Sequence, residues 1–216
     1  MSKDEVIRSI RQSLKRRGAL AGGVAEALAA RLATPCVHHP QPALAGDPVA
    51  CFLAKAALVS ATVDRIPCNR GLPAAVLGFL KDNDLPLTIT IGADPLLDLA
   101  WSNELSVKRG LPDPADQVSV TAAFAGIAET GTVVMLSSPD SPTTLNFLPQ
   151  IHIAVLRRSR IMRYTEDVWR ALRAERRTLP RAVNFITGPS RTGDVEQVLQ
   201  LGAHGPRRLH VILLER

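Results

Sequence analysis

Short apolar strands alternate with helical segments from Val118 to the end of the chain, and this pattern constrains the fold most strongly. β-Branched apolar runs predict strands, and apolar residues three or four positions apart predict helices. The predicted strands are Val118–Thr121, Thr132–Leu136, Ile151–Leu156, Val183–Thr187 and Leu209–Leu214; the predicted helices are Thr143–Leu148, Thr165–Arg177 and Thr192–Leu201. Such alternation is typical of buried parallel strands covered on both faces. The sequence therefore predicts an α/β fold with a mostly parallel sheet flanked by helices.

The rest of the body shows the same kinds of pattern with less regularity. Helices are predicted at Cys51–Val63 and Leu72–Asn83, and a strand at Leu87–Ile91, where Thr and Ile alternate. The stretch Trp101–Pro114 is predicted to be irregular, and Ala122–Ala128 to be a short helix or turn. These segments place further strand and helix units before the regular second half.

The N-terminal third divides the chain into three parts. Ser2–Leu32 has apolar residues at helical spacing, interrupted at Gly22 and Gly23, and predicts a helical arm within residues 1–33. Residues 34–48 contain four prolines, which block regular structure and predict a linker. Residues 49–216 are then the α/β domain. We expect the arm to pack on another subunit, in a homo-oligomer or with a partner, or on the body.

The charge of the chain is basic, with a formal net charge of +6, and 21 of its 26 basic residues are arginine. A basic domain suggests nucleic acid or a membrane surface as a partner. Aromatic residues make up only 4%, so the sequence offers no stacking platform for single strands. Many arginines stand singly on predicted helices. We therefore expect no nucleic-acid partner.

The three cysteines, Cys36, Cys51 and Cys68, form no C-x-x-C pair. This spacing predicts neither a zinc site nor iron–sulfur ligands, so no cofactor is expected on this chain. Free thiols, a polar N-terminus and the lack of a long apolar run favour a cytoplasmic protein without a membrane span. The adjacent His38 and His39 suggest metal ligands or, more simply, solvated side chains, which we favour because no second ligand pair is visible.

The turn Gly188–Thr192 is the strongest candidate for an anion site. It follows a predicted strand and precedes a predicted helix, whose free N–H groups and dipole favour an anion. Gly188 allows close approach, Ser190 and Thr192 supply hydroxyls, and Arg191 supplies a guanidinium fork. An ordinary capped helix with Arg191 in solvent explains the same residues equally well. The motif is neither a Walker A loop nor a dinucleotide-binding fingerprint.

Two further turns offer titratable groups. Glu129 precedes Thr130, Gly131 and Thr132, and its carboxylate is a candidate general base or ligand for a substrate hydroxyl. The alternative is a turn whose threonine hydroxyls satisfy backbone groups, and its place before a strand suggests the amino edge of the sheet. His204 lies between two glycines and is a candidate general acid or base, although a structural role is favoured.

One lone histidine lies inside a predicted strand. His152 is expected to be a satisfied buried group, and no Ser-His-Asp or Cys-His set accompanies it. Ser137, Ser138 and Ser141 lie on a loop without a nucleophile elbow.

Four segments in order resemble the LUD domain family, lactate-utilisation protein C (LutC) type. Ala125–Val134 is similar to the central signature of this family, and Pro142–Ile153 to its second block. Thr187–Glu196, followed by Leu201–Pro206 and Leu209–Leu214, is similar to its C-terminal block. The resemblance extends from about Val118 to the end and more loosely through the first half. It depends on the order of the blocks, because no single block is very specific.

This resemblance implies a fold like the ribose-phosphate isomerase and CoA-transferase superfamily. It also implies a part in oxidising L-lactate to pyruvate, beside partner subunits that carry the iron–sulfur clusters. It leaves open whether this chain is itself catalytic within such an L-lactate dehydrogenase complex. Some branches carry an arginine before the second block, whereas Ser137–Thr144 here contains no basic residue. If that arginine meets a carboxylate, Arg191 must replace it or the ligand differs.

The residues and the family resemblance together leave three functions open. The chain is expected to be an accessory, anion-binding subunit of a lactate-oxidising system. It is alternatively a free-standing enzyme on a phosphorylated or CoA-linked substrate, or a pure assembly module, because a fold alone does not prove a function.

Overall fold

The computed structural model describes residues 2–15, 18, 22–33, 41–175, 178–193 and 199–216. The chain divides into two compact units, Met1–Gln41 and Pro42–Arg216. The first unit contains two helices, α1 (Lys3–Ser13) and α2 (Gly22–Ala33), where the sequence predicts one interrupted helix. α1 begins with a capping box: Ser2 Oγ accepts the N–H of Glu5, and the Glu5 carboxylate accepts the N–H of Ser2.

The second unit contains four helices and twelve strands among its described residues. The helices are α3 (Pro48–Leu58), α4 (Leu72–Asp82), α5 (Thr144–Phe147) and α6 (Thr165–Glu175). The strands are β1 (Thr62–Ile66), β2 (Thr88–Ile91), β3 (Ser106–Arg109), β4 (Val118–Ala122), β5 (Ala125–Ile127), β6 (Thr132–Leu136), β7 (Ile151–Arg157), β8 (Ile161–Met162), β9 (Val183–Ile186), β10 (Arg191–Gly193), β11 (Leu199–Leu201) and β12 (Arg208–Leu214).

The main sheet has six strands in the order β1-β12-β7-β4-β2-β3, and every neighbouring pair in it is parallel. A smaller sheet has the order β8-β5-β6-β9, with antiparallel pairs on both sides of β6. Because all six main strands run in one direction, the sheet has one amino edge and one carboxyl edge. The predicted α/β fold with a mostly parallel sheet is confirmed.

The core lies on both faces of the main sheet. On one face, α4 contributes the buried residues Leu72, Val76 and Leu80, which pack with β2, β4 and β7. On the other face, Phe52 and Ala56 of α3 pack between β7 and β12 and the smaller sheet. Nearly uniform apolar strands are required here because both faces of the sheet are covered. α6 covers the outer face of the smaller sheet with its buried side chains, Val168 and Leu172.

Three local predictions are wrong. Thr192–Leu201 is not a helix: β10 and β11 form an antiparallel hairpin, in the register Arg191↔Leu201 to Gly193↔Leu199, and residues 194–198 lie outside the described ranges. The hairpin ends are fixed by hydrogen bonds from Ser190 N to Pro206 O and from Gly202 N to Ser190 O, which local propensity does not reveal. Ala122–Ala128 contains β5, and Trp101–Pro114 contains β3, because pairing with β6 and β2 supplies their backbone partners.

Candidate functional site

The first two predicted turns meet at the C-terminal end of α3. Because β6 and β9 pair antiparallel, Thr132 lies beside Thr187, and their hydroxyl oxygens are 2.7 Å apart. Thr130 extends this row, with its hydroxyl 2.6 Å from that of Thr132. The threonine hydroxyls thus pair with one another, whereas the structural interpretation of this turn predicts that they satisfy backbone groups.

Two glycines allow these turns to approach the helix. Gly131 has φ +70°, and a Cβ there would lie 2.4 Å from the backbone nitrogen of Ala56. Gly188 has φ +78°, and a Cβ there would lie 2.3 Å from the carbonyl oxygen of Val59. Both the left-handed backbone and the close contact require glycine. Since β1 begins just after this helix end, the turns lie at the amino edge of the main sheet.

The Gly188–Thr192 segment contains no helix start, so the predicted cluster of free helix N–H groups is absent from it. Arg191 instead donates from its guanidinium to the hydroxyl of Ser60. Ser190 accepts a 3.4 Å hydrogen bond from the backbone N–H of His204, which brings the third turn to the same place. Thr192 pairs through its backbone in β10. The anion interpretation therefore depends on Arg191 and its neighbours rather than on a helix dipole.

The two candidate catalytic groups are positioned through their backbones. Glu129 donates its N–H to the carbonyl of Arg163 at 3.1 Å, and within the described ranges its carboxylate makes no hydrogen bond or ion pair. The His204 ring is exposed, and its described contact is through the backbone. No hydrogen bond links Glu129 to His204 among the residues that the structure describes.

A basic cavity of about 450 Å³ opens beside Arg191 at the amino edge. Its lining combines three arginines with small polar and apolar side chains, namely Ser60, Thr62, Phe79, Asn83, Pro189, Arg191, Arg207, Arg208 and Leu209. Arg208 donates to the Asn83 side-chain oxygen at 3.1 Å. In the described part of the chain none of the three guanidinium groups is paired with a carboxylate. Arginine remains charged at any physiological pH, so this cavity favours an anion.

Most residues of this cavity carry no sequence signal and were not predicted. Ser60, Thr62 and Asn83 come from the ends of three different elements and have no motif of their own. Arg207 and Arg208 form an adjacent basic pair directly before the last strand, and both donate their backbone N–H to Gln150 O, at 2.7 and 3.2 Å. That pair at the amino end of a predicted parallel strand is the one sequence signal that could have indicated this edge.

A crevice lies at the opposite, carboxyl edge of the sheet. The chain leaves β2 toward β3 on one side and leaves β4 toward β7 on the other, so the strand order reverses between β2 and β4. Such a switch point is where open α/β sheets bind ligands. Two adjoining cavities of about 120 and 180 Å³ lie there, and Asp94 and Ala122–Phe124 line both. Ser137, Ser138 and Ser141, dismissed above as nucleophiles, line the smaller one.

Two histidines are buried in the main sheet. His152 Nε2 is 2.6 Å from the hydroxyl of Thr121, while its Nδ1 has no partner among the described residues. Burial lowers the pKa of His152 to about 4. His210 Nδ1 is 2.8 Å from the hydroxyl of Thr62, and its ring stacks on Phe79; burial lowers its pKa to about 4, against the opposing charge of Asp64. The prediction that His152 is buried is confirmed, although only one ring nitrogen is satisfied.

The structure contains few candidates for metal ligands. In the described ranges no three His, Cys, Asp or Glu side chains come together as a metal site. Cys51 and Cys68 are free thiols, and Cys36, His38 and His39 lie outside the described residues. None of the described helices has the length and apolar content that crossing a bilayer requires.

Comparison with known proteins relates the second half of the chain to one family. Residues 115–214 match the model of the LUD domain, and this range includes β4 to β12 and all three predicted turns. This part of the chain is similar to a LUD domain. Its curated relatives include proteins named Lactate utilization protein C from an Exiguobacterium species, 36% identical over 116 residues, and from Bacillus subtilis, 39% identical over 105 residues. The alignments cover 52% and 46% of this chain, and the chain spans about half the length of these relatives, 50% and 44%.

A solved structure shows the same fold. The crystal structure of a DUF162 family protein from Deinococcus radiodurans superposes on this chain with a TM-score of 0.60. The match covers 78% of this chain and 96% of the other, at 20% sequence identity. At this identity the likeness supports the arrangement of sheets and helices and carries no residue role.

Proposed function

We propose that this protein serves lactate utilisation as an accessory subunit that binds a small anion at the basic cavity of the amino edge. The names of its relatives support the process, since several are called Lactate utilization protein C. The iron–sulfur clusters of such a system are then held by partner subunits, because the three cysteines here lack the spacing of cluster ligands. This division of roles between the subunits leaves ligand binding to this chain.

Three arginines that make no ion pair with any described carboxylate are the observation that carries the proposal. Arg191, Arg207 and Arg208 line a cavity of about 450 Å³, and no Asp or Glu is among the described residues that line it. Guanidinium groups bind carboxylate or phosphate through charge-assisted, often bidentate hydrogen bonds. Ser60 and Asn83 already hold Arg191 and Arg208, which reduces the ordering cost of binding. Ser190 and Gly188 position the segment that carries Arg191. Anion binding at this cavity requires no catalytic role for Glu129 or His204.

The size of the basic cavity favours one alternative function, a free-standing enzyme on a phosphorylated or CoA-linked substrate. Cavities of about 300–1,000 Å³ hold ligands of drug size, and Phe79, Leu209 and Pro189 give this one an apolar wall. A phosphate at the arginines with an apolar body along that wall fits this shape. Turnover of such a substrate by the isolated chain distinguishes an enzyme from an accessory subunit.

The test combines calorimetry with growth. We expect inorganic phosphate and coenzyme A, used as probes, to bind the wild-type protein at least ten-fold more tightly than the Arg191→Gln and Arg208→Gln variants, about 1.4 kcal/mol. Arg70→Gln is the matched control, because Arg70 is an exposed arginine that lines neither edge cavity. In the native host, loss of the gene should abolish growth on L-lactate, and the Arg191→Gln gene should restore it less well than wild type. Equal affinity for both probes in all three variants would reject the anion site.

A further inference from the structure

The crevice at the carboxyl edge has rigid walls. A Cβ on the buried Gly92, directly after β2, would lie 2.8 Å from the Ser141 hydroxyl, so the loop Ser138–Ser141 rests on the end of that strand. Ala93 donates its N–H to Asp140 O at 3.0 Å, which fixes the loop in this position. Because Ala93, Ala122 and Ala123 are small, their side chains leave the space between these walls open.

The serine hydroxyl groups of this crevice favour a ligand that carries hydrogen-bond acceptors. Ser137 Oγ accepts the N–H of Ala182 at 2.8 Å, and Ser138 Oγ accepts that of Ser141 at 2.9 Å. Each hydroxyl therefore retains its own hydrogen for donation. These two serines and Ser141 line the 120 Å³ cavity, which adjoins the charged one.

Groups of opposite charge line the larger cavity. Asp94 lines it and uses Oδ1 to accept the N–H of Leu96 at 2.8 Å, and its second oxygen has no hydrogen-bond partner in the described part of the chain. Arg160 is bound by both oxygens of Glu175 and lies 5.3 Å from the ring centre of Phe124. Arg157, at the end of β7, makes no ion pair with any described carboxylate.

We infer that this crevice is a second small-molecule site, which takes a small acid that also carries a hydroxyl or amino group. The carboxylate of the acid pairs with Arg157, and its hydroxyl or amino group donates to Asp94. The two cavities, of about 120 and 180 Å³, hold an acid of a few carbon atoms. The site is separate from the basic cavity, since the two share no lining residue and lie at opposite edges of the sheet. It does not depend on the proposed function.

Calorimetry with two acids of equal carbon number tests both contacts. L-Lactate and propionate differ in one hydroxyl, so we expect wild-type protein to bind L-lactate at least ten-fold more tightly. Arg157→Gln should weaken both acids at least ten-fold. Asp94→Asn should weaken L-lactate and leave propionate unchanged, because an asparagine oxygen still accepts the N–H of Leu96 and preserves the local fold. Arg70→Gln is the control for a lost surface charge.

The inference is overturned if wild-type protein binds neither acid, if Arg157→Gln keeps wild-type affinity, or if Asp94→Asn weakens both acids equally. Thermal unfolding of each variant checks that the fold is retained. The basic cavity is tested separately, with phosphate and coenzyme A as probes and with substitutions at the other edge of the sheet. A negative result at one site therefore does not decide the other.

Discussion

At the scale of single residues, Gly131 is a position where two separate physical reasons exclude a side chain. Its φ of +70° lies in the left-handed region, which costs other residues about 1–2 kcal/mol. An added Cβ would also lie 2.4 Å from a backbone nitrogen, that of Ala56, which cannot rotate away. Overpacking of this kind costs about 1–3 kcal/mol. The turn therefore sits against α3 only because this residue is glycine.

We expect Gly131→Ala to lower the free energy of unfolding by about 2–5 kcal/mol, the sum of the left-handed backbone cost and the overpacking cost. Urea denaturation measures it. Gly78→Ala is the matched control, since Gly78 lies within α4 with no atom within 4 Å of its added Cβ. Alanine there should stabilise by about 0.5–1 kcal/mol through helix propensity. Wild-type stability of Gly131→Ala would show that the turn does not pack on α3.

At the scale of elements, the end of α3 contacts both the Gly131 turn and the Gly188–Thr192 turn. Its C-terminal end receives Gly131 and Gly188, and Ser60, just beyond it, receives Arg191. Its N-terminus is capped by Asp47, whose carboxylate accepts the N–H of Ala50 at 3.2 Å, with Pro48 in the first turn. The stability of this helix is therefore coupled to the amino-edge turns.

Removal of this cap should be measurable. Asp47→Ala is expected to cost about 1 kcal/mol of unfolding free energy, the usual value for a lost N-cap. Asp82→Ala removes the same charge from the last residue of α4, where an acid is unfavourable to the helix dipole, and should not destabilise. Thermal unfolding of the two variants side by side makes the comparison. Equal losses would mean that net charge, rather than capping, sets the effect.

Sequence patterns predicted the regular elements well and the hairpin poorly. The strands at Thr132–Leu136 and Ile151–Leu156 and the helix at Leu72–Asn83 agree with the structure within a residue or two, because the strands are continuous apolar runs and the helix has a clear period. The segment Arg191–Gly193 instead forms β10 by pairing with β11. Its conformation depends on hydrogen bonds to Pro206 and Gly202, which are distant along the chain, and so the predicted helix was wrong.

At the scale of the whole molecule, the buried histidines couple stability to pH. The pKa values of His152 and His210 are lowered to about 4 by burial, against about 6.5 in the unfolded chain. Below pH 6.5 the unfolded state therefore binds more protons than the folded state. The stability that these groups contribute is complete above about pH 6.5 and is lost as the pH falls toward 4.

We expect the free energy of unfolding to fall between pH 6.5 and 4.5 by up to about 1.4 kcal/mol per pH unit for each histidine. Urea denaturation across this range measures the slope. Asp116 and Glu215, whose pKa values are lowered by hydrogen bonds and by neighbouring positive charges, contribute only at lower pH. His152→Asn should reduce the slope of the unfolding free energy against pH by the contribution of one histidine, whatever it does to the stability at pH 7.5. A flat profile down to pH 5 would contradict neutral buried imidazoles.

The sequence by itself determined the class of fold, the strand and helix content of the second half and the family resemblance, because periodic burial and ordered motif blocks are local properties of the chain. Only the tertiary structure decided which side chains share a site. It brought Arg191, Arg207, Arg208 and Ser60 into the lining of one cavity at one edge of the sheet, and Asp94 and Arg157 into the lining of another cavity at the opposite edge. Strand order and direction place residues far apart in sequence at a common edge, and no local pattern contains that order.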